Sequence, residues 1–400
     1  MLDGRLDEAT QRLLARPYGA RVGITRRFDI NSPFDGSVVG SAPDTDSRTI
    51  APHFERAFIA ARTLHTTRVV QERLCTWAKK IALQRERLAR TISLETGKPI
   101  RFARIEVLTA LATLDLYGSS PIAALAREWT AAQVTFGILN WCDPVLSLIT
   151  ETVTALSNGR ALLVKPSTRA SLSSLSLAAL WKEGDDLDGL LCVVPSTDAI
   201  GMLHAALMHS HVSEVRFRGS GEVGSYIMGA CGEALVPVTI TTVTRSPLAV
   251  DKHSDIESVC DSIIQRAFFP PFRGEAERIS CLYVHDSIAD LVVSTLISRV
   301  AQLNVGDPLD ERTDVGPLID DVAATLIDEQ VEEAIAAGAA PPVIEPGAKP
   351  RHFRPVILDY AQASMRVCQG ELEGPLLPVV RYKHPDEVQN AQLLNADSTA

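Results

Sequence analysis

Two stretches of the chain carry residue types whose order suits chemistry on a nucleotide. Gly219, Ser220, Gly221, Glu222, Val223 and Gly224 match GxGxxG, follow a strand-like run and open a helix-like one. A glycine-rich loop running into a helix start brings backbone N–H groups and the positive end of the helix against a pyrophosphate. The same glycines also suit a plain tight turn from strand to helix. The acidic residue expected about 20 positions further on in an ordinary two-domain dinucleotide dehydrogenase is missing, because that region reads TITTVTR. The second stretch is Lys165, Pro166, Ser167 and Thr168, which end an apolar strand, ALLVK. A cation and two hydroxyls at the carboxyl edge of a parallel sheet suit a ribose or a phosphate, and a strand-ending turn with a snorkelling lysine explains them as well.

Other reactive side chains are less organised. The seven cysteines, at 75, 142, 192, 231, 260, 281 and 368, form no CxxC pair, so disulfide frameworks and thiolate zinc are not expected. His209 and His211 have no HExxH context and no carboxylate at helical spacing, which leaves the histidines with surface or core roles.

These residues need elements to position them. From residue 134 the pattern alternates: strand 134–141, helix 144–157, strand 161–165, helix 169–182, strand 190–194, helix 197–208, strand 213–217 and helix 222–230. Such alternation demands right-handed crossovers and a parallel sheet covered on both faces. Upstream, 31–43 is turn-rich and extended, and 55–99 reads as two helices followed by another at 103–117. Downstream a new apolar strand begins near 236, with helices at 255–267, 286–303 and 321–337. The expected division is a domain over 1–242 and a second over 243–400, with a Pro-rich surface loop at 340–355.

Length and composition agree with this division. Four hundred residues with 46% hydrophobic and 22% charged side chains make a foldable chain of two domains and exclude wholesale disorder. A net charge of -10, from 39 Lys plus Arg against 49 Asp plus Glu, gives no basic footprint, so nucleic acid is not an expected partner. No apolar run is long enough to span a bilayer and the first thirty residues lack a secretory apolar block, so no membrane partner and a cytoplasmic location are expected.

Taken in order, the pieces resemble the aldehyde dehydrogenase superfamily. The resemblance rests on SPFDGSVVG (32–40), ETGKP (95–99), FGILNWCDP (136–144), ALSNGRALLVKPS (155–167), FRGSGEVG (217–224), PVTITTVTRSP (237–247), VGDPLDERTDVGPLI (305–319) and EGPLLPVVRYKHPDE (373–387). It implies an α/β fold: a Rossmann-type doubly wound parallel sheet for nucleotide binding, plus a second α/β catalytic-type domain that is shortened at its C-terminal end. It also implies NAD or NADP as cofactor. Lys165 and Ser167 match the strand-end motif for the adenosine ribose, Gly219 and Ser220 the pyrophosphate side with Gly224 closing that motif, Trp141 the motif before the oxyanion donor, and Glu371 the glutamate on the nicotinamide ribose. Thr168 replaces a frequent glutamate that would exclude a 2'-phosphate, which leaves NADP as plausible as NAD.

The same resemblance shows what is missing. Oxidising an aldehyde in this family needs a thiolate, an oxyanion donor and a base. The nucleophile position aligns with Ala276, the base with Thr241 and the oxyanion asparagine with Cys142. Val243 and Thr244 replace two glycines, and Glu373 replaces an aromatic beside the nicotinamide. The pairing hairpin near 117–134 is shortened. The expectation is therefore a pseudoenzyme with a partly retained NAD(P) site, acting through the nucleotide, a protein partner or a homo-oligomer. The alternatives are an active NAD(P)-dependent aldehyde dehydrogenase using an unusual nucleophile such as Cys142, and a truncated or decayed gene product.

Overall fold

The computed structural model describes residues 26–63, 67–119, 133–242, 246–269, 278–342, 351–369 and 374–388. The chain divides into two compact units, the first made of residues 1–96 and 100–242, the second of Gly97–Pro99 and residues 243–400.

The first unit opens with an antiparallel pair, β1 (Arg27–Asn31) and β2 (Val38–Pro43), joined by a turn in which Gly36 takes a φ of 73°. Four helices follow: α1 (Ala51–Arg62), α2 (Thr67–Leu83), α3 (Arg85–Thr96) and α4 (Ile100–Ser119). Three of them lie where the spacing of apolar residues suggests two. Gln84 alone separates α2 from α3, and the Gln84 carbonyl accepts the Leu88 N–H at 2.9 Å, so the apolar periodicity runs on across the break. Trp77 of α2 packs edge-on against Trp181 at 5.2 Å and donates its indole N–H to the Leu177 carbonyl at 3.0 Å.

Then come β3 (Gln133–Ile138), α5 (Pro144–Ser157), β4 (Arg160–Lys165), α6 (Ser171–Trp181), β5 (Leu191–Val193), α7 (Ala199–Leu207), β6 (Val212–Gly219), α8 (Gly221–Ala234) and β7 (Val238–Thr242). The five strands form one parallel sheet in the order β5-β4-β3-β6-β7. The middle strands β3 and β4 are buried beyond their first residues, as continuous apolar runs on a doubly covered sheet must be. Helix α8 ends on Leu235, whose φ of 54° puts a branched side chain in the left-handed conformation that usually falls to glycine.

In the second unit a four-stranded parallel sheet has the order β10-β11-β9-β8, formed by β8 (Ser246–Val250), β9 (Ile279–His285), β10 (Val356–Leu358) and β11 (Leu376–Tyr382). Strand β8 merges with β7 in the sequence pattern because so few residues separate them. Helices α9 (Ile256–Phe268) and α10 (Asp286–Val300) bury Cys260, Ile263, Val292 and Leu296 against Leu282, Val284 and Val379 of the sheet. Helix α11 spans Asp321–Ala336. The Gly97–Pro99 strap is tightly seated in this unit: a Cβ on Gly97 would lie 2.8 Å from Pro317 Cγ, and one on Gly316 would collide with the Gly97 carbonyl. Both parallel sheets with their helices give the α/β fold the sequence implies.

Candidate functional site

In the first sheet the chain steps outward from β3 to β4 and β5, then returns to the other side of β3 for β6 and β7. The connections that leave the paired carboxyl ends of β3 and β6 therefore run in opposite directions, and this change of direction is where open α/β sheets take their ligands. Three loops leave that edge. Leu139–Asp143 leaves β3 with Trp141 and Cys142 half-buried, Pro166–Ala170 leaves β4, and Ser220 leaves β6. The Leu139 N–H donates to the Lys165 carbonyl at 3.1 Å, which ties the first two together.

Lys165 is 5% exposed. Its Nζ donates to the Pro166 carbonyl at 3.2 Å, and burial pushes its pKa down to about 8 against the opposing pull of Asp44. A buried ammonium with so little compensation is costly in folding terms and suited to a ligand that brings anionic or hydroxyl oxygens. Ser167 caps the following turn, its Oγ accepting the Arg169 N–H at 3.3 Å, while its carbonyl accepts the Ser171 hydroxyl at 2.7 Å. Thr168 is half-buried beside it. At the end of β3 the Asn140 Oδ1 is buried with no hydrogen-bond partner.

The helix starts along this edge are not alike. Glu106 on α4 accepts the N–H groups of Val145 and Leu146 at 2.8 and 3.3 Å and so closes the start of α5. Glu95 at the end of α3 does the same for α6, through Leu172 at 2.8 Å and Ser173 at 2.9 Å. Asp198 closes α7 through Gly201 at 2.8 Å. At the start of helix α8 the Ser220 hydroxyl accepts from Val223 at 3.5 Å, and Glu222 is exposed in the first turn. The cap described there is a hydroxyl, where α5, α6 and α7 have carboxylates. Gly224 lets this helix lie close to the sheet, since a Cβ there would sit 3.0 Å from Ile240 Cγ2. A Cβ on Gly219 would press on the Phe217 ring at 2.5 Å. Lys165, Ser167 and the start of α8 lie at the carboxyl edge of this sheet, the edge suited to an elongated anionic ligand.

The groups expected for carbonyl chemistry are less assembled. Cys142 lies in the bend after β3, and Thr241 lies exposed on β7, paired with Arg218 of β6. Ala276, Glu371, Val243, Thr244 and Glu373 lie outside the described residues, as does the segment 120–132. Among the other thiols Cys75 is exposed, and Cys192, Cys231, Cys260, Cys281 and Cys368 are buried. Burial pushes the Cys192 thiol up to about 11, raises Cys231 and Cys260, and adds to the rise that Cys281 causes at Cys368. His209 and His211 flank Glu55 at 3.6 and 3.4 Å, with Phe58 stacked on His211, away from the loops just described. No cluster that could hold a metal ion occurs among the described residues.

The sequence reading found the strand-end residues and the glycines but not Glu95, Glu106, Asn140 or Asp198. Glu106 carried a readable signal, a carboxylate on the apolar face of an otherwise hydrophobic helix. Asn140 carried none.

Among the described residues no helix is long and apolar enough to cross a membrane. The sequence matches the aldehyde dehydrogenase family over residues 22–399. A glutarate-semialdehyde dehydrogenase of Pseudomonas aeruginosa is 27% identical over 384 residues, which covers 90% of this chain and 77% of the relative. The crystal structure of an aldehyde dehydrogenase from Brucella melitensis biovar abortus superposes with a TM-score of 0.86 at 22% identity, over 96% of this chain and 83% of that one. The structure of PnpE in complex with nicotinamide adenine dinucleotide gives a TM-score of 0.83 at 23% identity, over 94% and 84% of the two chains. At those identities the two structures speak for the fold alone. Parallel-sheet architecture, motif order and sequence match agree: the chain belongs to the aldehyde dehydrogenase family.

Proposed function

We propose that this protein binds NAD or NADP at the carboxyl edge of its first sheet and does not oxidise aldehydes by the family's thiolate route. The binding half is assigned by position. Lys165 and Ser167 meet the adenosine ribose, with Thr168 leaving room for a 2'-phosphate. Gly219, Ser220 and Gly224 shape the pyrophosphate turn, Trp141 lines the loop from β3, and Glu371 takes the nicotinamide ribose. The bound nucleotide would supply a hydride acceptor.

The observation that carries this reading is the buried Lys165 at the carboxyl end of β4, suited to an anion. In the sequence, the positions that resemble the family's nucleophile, base and oxyanion donor hold Ala276, Thr241 and Cys142. Five of the seven thiols are buried, and a buried thiol in apolar surroundings is a poor nucleophile. A binding role of this kind acts through a protein partner or a second copy of the chain.

Cys142 supports a second reading, because it is the thiol that stands half-exposed in the loop of the candidate site. On that reading the protein is an active NAD(P)-dependent dehydrogenase, with semialdehydes, after which several relatives are named, as the first substrates to try. Calorimetric titration with NAD and NADP, followed by a spectrophotometric assay on an aldehyde panel, separates the two. Saturable nucleotide binding without nucleotide reduction is expected. Turnover that Cys142→Ala abolishes would establish the second reading, and absence of binding for both nucleotides would sink the first.

A further inference from the structure

Two of the three loops at the candidate edge are anchored by acids that belong to neither the sheet nor the loops. Glu95 is 1% and Glu106 is 5% exposed, and each spends its carboxylate on consecutive backbone N–H groups of a helix start. The helix held by Glu106 begins directly after Trp141, Cys142 and Asp143. The helix held by Glu95 begins directly after Lys165–Ala170, so both acids fix the first turn that each loop must reach. We infer that Glu95 and Glu106 are positioning residues for the nucleotide site, and that Glu95 makes the affinity of that site depend on proton concentration near neutrality. The inference rests on the nucleotide-binding reading above.

The physical basis is an accounting of acceptors. An ionised Glu95 offers both oxygens to the N–H groups of Leu172 and Ser173. Once protonated, one oxygen carries an O–H that faces an N–H, and one of the two bonds is lost. The start of α6 then loosens, and with it the turn that carries Ser167 and Thr168. Burial pushes the Glu95 carboxyl up to about 7, the Ser173 hydroxyl and the N–H groups of Ser173 and Leu172 oppose that rise, and the negative charge of Glu106 adds a smaller one. Among the described residues, α6 presents serines and apolar side chains, Arg104 of α4 pairs with Glu86 at 2.8 Å, Arg101 stacks over Phe102, and Arg169 of the 168–170 turn is exposed.

The test is a calorimetric titration of the full chain with NADP and NAD between about pH 6 and 7, a range in which Lys165, its pKa lowered to about 8, stays at least about nine-tenths protonated. Wild type should bind more tightly as the pH rises, by up to about fivefold, the change in the ionised fraction of one carboxyl with a pKa of about 7 over that range. Glu95→Gln should bind at the weak, acid-side level with no pH trend, and Glu106→Ala, which removes the one oxygen that Val145 and Leu146 share, should bind weakly while keeping the trend. A flat wild-type profile, or a trend that survives in Glu95→Gln, overturns the proton coupling. Amide hydrogen exchange decides the positioning role without any nucleotide. Glu95→Gln at constant pH, or acid pH in wild type if that variant does not fold, with each rate referred to the intrinsic exchange rate at its pH, should lower protection in 166–174 and leave protection in 221–230 unchanged. Unchanged protection in 166–174 overturns positioning, whereas wild type that binds neither nucleotide refutes the nucleotide reading and leaves exchange to decide the role of Glu95.

Discussion

Lys165 is where folding and binding pull in opposite directions. Its lowered pKa means that the native state holds the ammonium less readily than the unfolded chain, so between about 8 and 10.5 the unfolded state carries more protons and stability rises with pH. Below that window the buried charge is a standing cost. Lys165→Met should therefore raise Tm at pH 7 while weakening nucleotide binding about 10- to 100-fold, the worth of a hydrogen bond to a charged group. The Tm gap to wild type should narrow toward pH 10. An unchanged affinity in the variant would remove Lys165 from the site. The cysteines give a second residue-scale expectation. Of seven thiols, an aromatic disulfide reagent should titrate two in the native protein, Cys75 and Cys142, and all seven after denaturation. Protection of the slower of the two by NADP would place Cys142 beside the bound nucleotide.

At the scale of elements, the sheet of the first unit was legible because buried parallel strands read as short apolar runs between amphipathic helices, and β3 to β7 and α5 to α8 fall where that pattern puts them. The join at Gln84 was not legible, since one residue cannot reset an apolar period. The carboxylate caps were equally hidden. Glu95 and Leu172 lie far apart in the chain, and no local pattern reports that one will close the start of the other's helix. The strand-end lysine and the glycines were readable as residues, but the carboxylates that close the starts of α5, α6 and α7 were not. Gly224 tests the packing that brings α8 to the sheet. Its added methyl would crowd Ile240 and Thr242, at 3.0 and 3.4 Å, so Gly224→Ala should cost about 1–3 kcal/mol in denaturant unfolding. A neutral result would mean that the helix has slack to move outward.

At the scale of the whole molecule, the excess of acidic groups sets colloidal behaviour. With a pI near 5.5, solubility should pass through a minimum close to that pH and recover toward neutrality, where the charge is -10. Light scattering across pH 5 to 8 measures this, and a minimum elsewhere would point to association through apolar surface instead. The two compact units also differ in how they could be cut apart. Because Gly97–Pro99 is seated against Gly316 and Pro317, the second unit borrows a piece of chain encoded well before its own first strand. A clone starting at Val243 would lack that piece, and a clone stopping at Thr242 would carry it with nothing to receive it. Splitting the gene at this point would leave each half with a mismatched part, and adding the 97–99 segment back as a free peptide could not restore the missing tether.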